Sequence, residues 1–86
     1  ARPNPFSGST TFYLDAPHGA TRAVAAVYNV RGQLVKQLQA GPLTRGRHEL
    51  CWDGTDSTGL PVSEGVYFLG ARVGSWSGRR KVVVLR

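Results

Sequence analysis

Three oxygen-bearing side chains, Asp53, Asp56 and Ser57, stand close together directly after Trp52. Carboxylate and hydroxyl oxygens are ligands that calcium prefers, so a calcium loop is the first chemistry to consider. An EF-hand-like loop, however, places oxygen ligands at every second position and ends in a glutamate, whereas Asp53 and Asp56 are three positions apart. Asx turns, in which short polar side chains bind the loop backbone, are therefore favoured, and calcium is the alternative.

The remaining reactive residue types do not form a catalytic pattern. His48 has no second histidine, cysteine or acid at ligand spacing, and His18 lies in a Pro-His-Gly turn. No Ser-His-Asp set has a nucleophile-elbow context, and the glycines are isolated turn residues that form no phosphate loop. We therefore expect a protein that is not an enzyme and has no metal site and no cofactor.

Cys51 is the single cysteine of the chain, so no internal disulfide can form. Strand alternation places its thiol on the face opposite to Trp52. A free, partly covered thiol is expected, and a dimer-forming cysteine is the alternative.

The composition indicates one small domain built from short strands. The chain has 86 residues, of which 41% are hydrophobic, and contains 11 Gly and 5 Pro. Such a domain buries only somewhat more than about 60% of the surface of its unfolded chain, so its core must be compact. No run of about 18 apolar residues is present, so we do not expect a helix that spans a membrane.

Positive charge exceeds negative charge, with a formal net charge of +6. The basic residues are scattered except for Arg79, Arg80 and Lys81 beside the last strand. An anionic cell-surface polymer is one partner that this charge would suit. No stacked aromatics or recognition helix accompany the charge, so a nucleic-acid partner is not expected.

Alternating and β-branched segments, separated by Gly, Pro and Asn, predict an all-β fold. Small alanines suit a central strand covered on both sides, and Leu34 and Leu38 leave a single helical turn as the alternative for the third segment. About seven short strands are expected in two antiparallel sheets, with the segment after Trp52 as a long hairpin loop. The strands that can be placed are 9–15, 21–29, 33–39, 47–52, 66–73 and 80–85.

The closing strand contains Val82, Val83, Val84 and Leu85 in succession. A run without alternation indicates cover on both faces of the strand, or an outer face that meets another molecule.

Four stretches resemble, in order and spacing, C-terminal β-sandwich modules of secreted bacterial proteins. This family includes the immunoglobulin-like domain of the flagellar hook-capping protein and the type A sorting domain of the type IX secretion system. The resemblance covers essentially the whole chain and implies an immunoglobulin-like antiparallel β-sandwich. The matching stretches are 3–14, 27–35, 46–68 and 80–85.

The resemblance also assigns structural roles to individual positions. Pro3, Asn4 and Pro5 would set an extended segment leading into the domain, and Trp52 would anchor the core. The remaining matched positions would form turns and strand starts: Tyr28, Asn29 and Gly32 in a hairpin, Asp53 and Gly54 in the turn after Trp52, and Gly65 with Tyr67 at the start of the next strand. Residues 1–8 are accordingly expected to be a linker end and leading segment, and residues 9–86 a single domain.

The resemblance implies a non-catalytic module for secretion sorting or cell-surface attachment of a larger exported bacterial protein, acting outside the cell or at its outer surface. The residues expected to contact the sorting machinery or another protein partner are Arg79, Arg80, Lys81, Val82, Val83 and Val84. A structural assembly or spacer domain is the alternative, packing on neighbouring domains or on copies of itself. A carbohydrate-binding module is a third hypothesis, motivated by Trp76 and Tyr13, two aromatics outside the expected core.

Overall fold

The computed structural model describes residues 7–19 and 21–85, which form β-strands and connecting loops. Within these residues no helix of the length and apolar character needed to cross a membrane is found. The fold is an all-β immunoglobulin-like sandwich of two antiparallel sheets, as predicted. The six strands of the described residues are β1 (Thr10–Ala16), β2 (Thr21–Tyr28), β3 (Leu34–Leu43), β4 (Gly46–Trp52), β5 (Gly65–Val73) and β6 (Trp76–Val84).

The small sheet consists of β1 and β4, paired antiparallel from Thr10 opposite Trp52 to Ala16 opposite Gly46. Phe12 and Leu14 point into the sandwich and are buried, whereas Tyr13 between them is exposed. This alternation is what a strand with one core face and one solvent face requires.

The large sheet has the strand order β3, β2, β5, β6, so β2 and β5 are central. The helical alternative for the third segment is therefore excluded. The inward side chains of β2 are Ala23, Ala25 and Val27, all essentially buried. Their small size lets the small sheet approach closely. On the outer face Ala26 is 2% exposed but Val24 is 40% exposed, so the expected cover on both sides of β2 is present only in part.

Trp52 is the centre of the core and is 0% exposed. It projects from the end of β4 against residues of the large sheet, including Tyr67, Val82 and Val84 in the same hydrophobic cluster. Trp52 therefore lies in the core, where the resemblance would place it.

The connection from β4 to β5 is not the long hairpin loop that the sequence suggested. β4 pairs with β1, and β5 pairs with β2 and β6, so residues 53–64 cross from one sheet to the other. The turn residues were correct signals for a reversal, but they carry no information about which strand each flanking segment pairs with.

The last strand begins earlier than predicted, at Trp76 and not at Arg80. A two-residue turn at Gly74 and Ser75 joins it to β5, because Val73 is already paired with Trp76. Gly74 has a φ of 60°, the left-handed value that tight hairpin turns need. The expected loop at 74–78 is thus a hairpin turn followed by strand.

The side chains of the valine run alternate between the core and the outer face of the sheet. Val82 and Val84 are 0% exposed, Val83 is half-buried and Leu85 is 43% exposed. One face of β6 therefore belongs to the core and the other faces outward, so the uninterrupted run did not indicate full cover on both faces.

Candidate functional site

The loop after Trp52 is held by the indole itself. Trp52 Nε1 donates a hydrogen bond to the backbone oxygen of Thr55 over 2.8 Å. Gly54 turns the chain with a φ of 76°, and its backbone oxygen accepts from the amide of Val62 at 2.9 Å. The residue that anchors the core thus also fixes the beginning of the sheet-crossing loop.

Two Asx turns organise this loop, as the sequence favoured. Asp53 Oδ1 accepts from the amide and hydroxyl of Thr55, at 3.2 and 2.5 Å. Asp56 Oδ1 accepts from the amide and hydroxyl of Thr58, at 2.9 and 2.6 Å, and from the amide of Leu60 at 3.1 Å. These carboxylates point at the loop's own backbone, the arrangement that a cap needs.

The hydrogen bonds lower the pKa of both carboxyl groups. For Asp53 the Thr55 hydroxyl is the main cause, with a further contribution from the charge of Lys36. For Asp56 the Thr58 hydroxyl is the main cause of the lowered pKa. Among residues 7–19 and 21–85, no group of three or more His, Cys, Asp or Glu side chains is placed to hold a metal ion.

The loop is also fastened to β3. Lys36 Nζ donates to Thr55 Oγ1 at 2.9 Å and lies 3.6 Å from Asp53 Oδ1. The amide and hydroxyl of Ser57 both donate to the backbone oxygen of Val35, each at 3.0 Å. These bonds place the loop beside the outer strand of the large sheet.

The structure places Tyr28, Asn29 and Gly32 at the turn between β2 and β3. Asn29 Oδ1 accepts from the amides of Arg31 and Gln33, at 2.9 and 3.0 Å, and Gly32 has a φ of 79°. Gly65 and Tyr67 begin β5, and the Tyr67 hydroxyl donates to the backbone oxygen of Ser63 at 2.7 Å. Pro3, Asn4 and Pro5 lie outside the described residues.

The basic residues of β6 do not form one cluster. Strand alternation sends Arg79 and Lys81 to the outer face of the large sheet and Arg80 to the opposite side. All three are exposed. Val82 and Val84, by contrast, are in the core, so their side chains are not accessible to a partner while the domain is folded.

One feature of this strand was not foreseen from the sequence. The Arg79 guanidinium lies over the ring of Phe68, 5.0 Å from its centroid. Phe68 is in β5, and the two residues meet because Phe68 is opposite Lys81 and Gly70 is opposite Arg79. This register would have followed from a two-residue turn at Gly74 and Ser75, but a longer loop between β5 and β6 was expected.

The two aromatics that motivated carbohydrate binding lie on different sheets. Tyr13 is on the outer face of β1, with the Arg47 guanidinium 4.9 Å from its ring centroid. Trp76 is on β6 and lies against Gly78, where an added Cβ would be 2.8 Å from the indole. No shared aromatic platform joins them.

Cys51 and His48 show no catalytic arrangement. Cys51 lies on the outer face of the small sheet, as alternation predicted, but it is exposed and not partly covered as expected. His48 Nε2 lies 2.6 Å from the backbone oxygen of Thr44, a contact that holds the β3–β4 turn.

The chain matches known proteins over most of its length. The FlgD Ig-like domain family matches residues 4–78. The basal-body rod modification protein FlgD of Escherichia coli (strain K12) is 30% identical over 59 residues, which are 69% of this chain and 26% of that protein. This chain therefore spans about a quarter of the curated relative.

Solved structures show the same fold at lower identity. FlgD from Xanthomonas campestris, described in relation to hook capping in flagellar assembly, has a TM-score of 0.67 at 23% identity, with 93% of this chain and 58% of that chain covered. PorZ, a surface component of the type-IX secretion system of Porphyromonas gingivalis, has a TM-score of 0.72 at 22% identity, with 99% of this chain and 11% of that chain covered. The family match, which extends over far more than half of the sequence, shows that the chain belongs to the FlgD Ig-like domain family.

Proposed function

We propose that this chain is a non-catalytic module that sorts a larger exported bacterial protein for secretion, or attaches it at the outer cell surface. Its partners would be proteins, either secretion machinery or neighbouring domains. Support comes from the matched chains, in which the corresponding segment is 26% of one protein and 11% of another. One of these proteins, PorZ, is a surface component of a secretion system.

The proposal assigns residues 9–86 to the domain and residues 1–8 to a leading segment. The observation that carries it is the division of β6 into two parts with different surroundings. Val82 and Val84 fix the strand in the core, while Arg79 and Arg80 display two exposed guanidinium groups just before them. A rigid strand with projecting cations is a suitable recognition element, because its backbone is already ordered before binding and no loop has to be ordered at an entropic cost.

The test removes the cations and leaves the core intact. Deleting residues 80–86 would also remove Val82 and Val84 and unfold the sandwich, so a substitution is required. Arg79→Gln with Arg80→Gln, made in the parent protein, is compared with the equally charge-reducing pair Arg45→Gln and Arg47→Gln elsewhere on the surface.

Surface display in the exporting bacterium is measured by protease accessibility of the parent protein. We expect display to fall several-fold for the β6 pair and to be unchanged for the control pair. Equal display of both variants at the wild-type level would refute a sorting role for this strand.

The second candidate function is an assembly or spacer domain. It is favoured by the relation to FlgD and by three apolar side chains that are largely in solvent: Val30, Leu34 and Leu60, exposed by 70%, 56% and 63%. Sedimentation velocity over a range of concentrations tests it. A sedimentation coefficient that increases with concentration supports self-assembly, and a strict monomer at the highest concentration contradicts it.

A further inference from the structure

Charge is separated between the two sheets of the sandwich. The strands of the large sheet contain six Lys and Arg residues and no Asp or Glu: Arg22, Lys36, Arg72, Arg79, Arg80 and Lys81. The acids all lie in β1, in β4 or in the sheet-crossing loop: Asp15, Glu49, Asp53, Asp56 and Glu64. The large sheet therefore presents a surface of one sign.

Four of these six cations lie on the outer face of this sheet, which points away from the core: Arg22, Arg72, Arg79 and Lys81. Cross-strand pairing aligns Val24 with Arg72 and Ser77 in one row, and Ala26 with Gly70 and Arg79 in the next. Among the described residues, no acidic side chain forms an ion pair with Arg72 or Arg79, whereas Lys36 and Arg47 do have acidic partners. Two guanidinium groups on neighbouring strands are thus left for an external anion.

The same face has a depression between these rows. Gly70 forms its floor, and the Tyr28 ring lies so close that a Cβ on Gly70 would be 3.2 Å from Tyr28 Cε2. Two shallow grooves of about 470 and 460 Å³ extend from it, and both are lined by Tyr28, Gly70 and Arg79. Val24 and Arg72 line the first groove and Phe68 the second.

We propose that these two adjoining grooves, together called the outer-face groove, bind an extended, acidic segment of a partner protein. The inference rests on the proposed function and deepens it by naming the surface and the chemistry of the partner. Arg72 and Arg79 would each form charge-assisted, two-pronged hydrogen bonds with a carboxylate, the geometry in which guanidinium groups bind best. Val24 and Tyr28 would contact the apolar parts of the segment.

The aromatic rings argue for a peptide over a nucleic acid. The face of Phe68 is occupied by Arg79, and Tyr28 lies against Gly70. Single-stranded nucleic acids bind by stacking successive bases on open aromatic faces, and the Phe68 face is not open for this because Arg79 covers it.

The probe is a fluorescent oligoglutamate peptide of about ten residues, which reaches roughly 33 Å when extended. Binding to the purified chain is measured by fluorescence anisotropy at low and physiological salt. We expect Arg72→Gln with Arg79→Gln to weaken binding about tenfold or more, because two charge-assisted hydrogen-bonding groups are lost. The control pair Arg45→Gln and Arg47→Gln, with the same net charge, should weaken it less than about twofold, because exposed charges away from the groove contribute little.

A second pair of variants tests the groove without removing a cation. Val24→Glu places a carboxylate in the groove and should abolish binding, whereas Val24→Gln, which has the shape of the Glu variant and loses only the apolar contact, should weaken binding far less. Circular dichroism shows whether the arginine double variant folds. If it does not, the comparison of the two Val24 variants tests the inference.

Three results would overturn the inference: equal weakening by both arginine pairs, no binding of oligoglutamate, or preferential binding of polygalacturonate or oligo-deoxythymidine. Its failure is separable from that of the proposed function. Peptide binding with unaltered surface display of the β6 variant refutes the sorting role alone. Loss of display without peptide binding refutes the acidic-segment inference alone.

Discussion

The indole of Trp52 and the phenol ring of Tyr67 meet edge to face, with centroids 5.5 Å apart and an interplanar angle of 69°. This contact joins the small sheet to the large one, since Trp52 ends β4 and Tyr67 lies in β5. The same two rings hold both ends of the loop between them, through Thr55 and Ser63. Core packing and the path of the loop are therefore set by one pair of aromatics.

Replacing Trp52 by Phe should destabilise the domain by about 1–3 kcal/mol, because the Thr55 oxygen loses its indole donor and the smaller ring fills the site less well. Urea denaturation followed by circular dichroism measures the change. Trp76→Phe is the matched control, since Trp76 is 57% exposed and should change stability by less than about 0.5 kcal/mol. Equal effects of the two substitutions would contradict the assignment of Trp52 as the core anchor.

Acid should weaken the sheet-crossing loop. The pKa values of Asp53 and Asp56 are lowered in the folded state, so their contribution is complete above the unfolded pKa, which is about 3.9, and is lost as the pH falls through the folded pKa. Asp53→Asn with Asp56→Asn keeps the acceptor oxygens but cannot titrate.

The melting temperature of the wild type should therefore fall more steeply than that of the double variant between about pH 5 and pH 2. Thermal denaturation across this range provides the measurement. Parallel pH profiles would show that the two Asx turns do not depend on ionised carboxylates.

Gly74→Ala should cost about 1–2 kcal/mol, because Gly74 has a φ of 60° and a Cβ is disfavoured in the left-handed region. An added Cβ would lie 3.5 Å from Thr21 Cγ2, an ordinary contact, so the cost is conformational and not steric. Gly74→Asn should be milder, since Asn tolerates this conformation. Equilibrium unfolding of both variants checks the order, and a more stable Ala variant would contradict the turn.

Val82→Ala should destabilise the domain by about 2 kcal/mol, from lost transfer energy and the cavity left behind. Val83→Ala, one residue along but only half-buried, should have a clearly smaller effect. Chemical denaturation of the pair is the measurement. Comparable losses would mean that both faces of β6 are covered, as the uninterrupted valine run first suggested.

Local patterns predicted the strands well, because alternation and β-branching act within a few residues. The placement of Cys51 on the face opposite to Trp52 and the two Asx turns followed directly from the sequence. The pairing of the strands could not be predicted in this way, because Asp53 and Gly54 indicate that the chain reverses but not whether β4 and β5 lie in the same sheet. That choice depends on contacts between segments far apart in the chain.

The proposed binding surface on the outer face of the large sheet could be predicted only in part from the sequence. The basic residues of β6 were evident, but their distribution between two faces depends on where the strand begins, and its start at Trp76 was missed. The depression at Gly70 depends on Tyr28 from another strand, and only the register of β2 with β5 brings them together.

Recognition of a protein partner by the outer face of the large sheet is tested by site-specific photocrosslinking in the exporting cell. Benzoylphenylalanine at position 77 of the parent protein, which lines the groove and leaves Arg72 and Arg79 in place, is compared with the same group at position 45, in the turn before β4. We predict a defined protein adduct from position 77, competed by oligoglutamate, and none from position 45. Adducts from position 45 alone, or none from position 77 while the protein is displayed normally, would contradict protein recognition by this face.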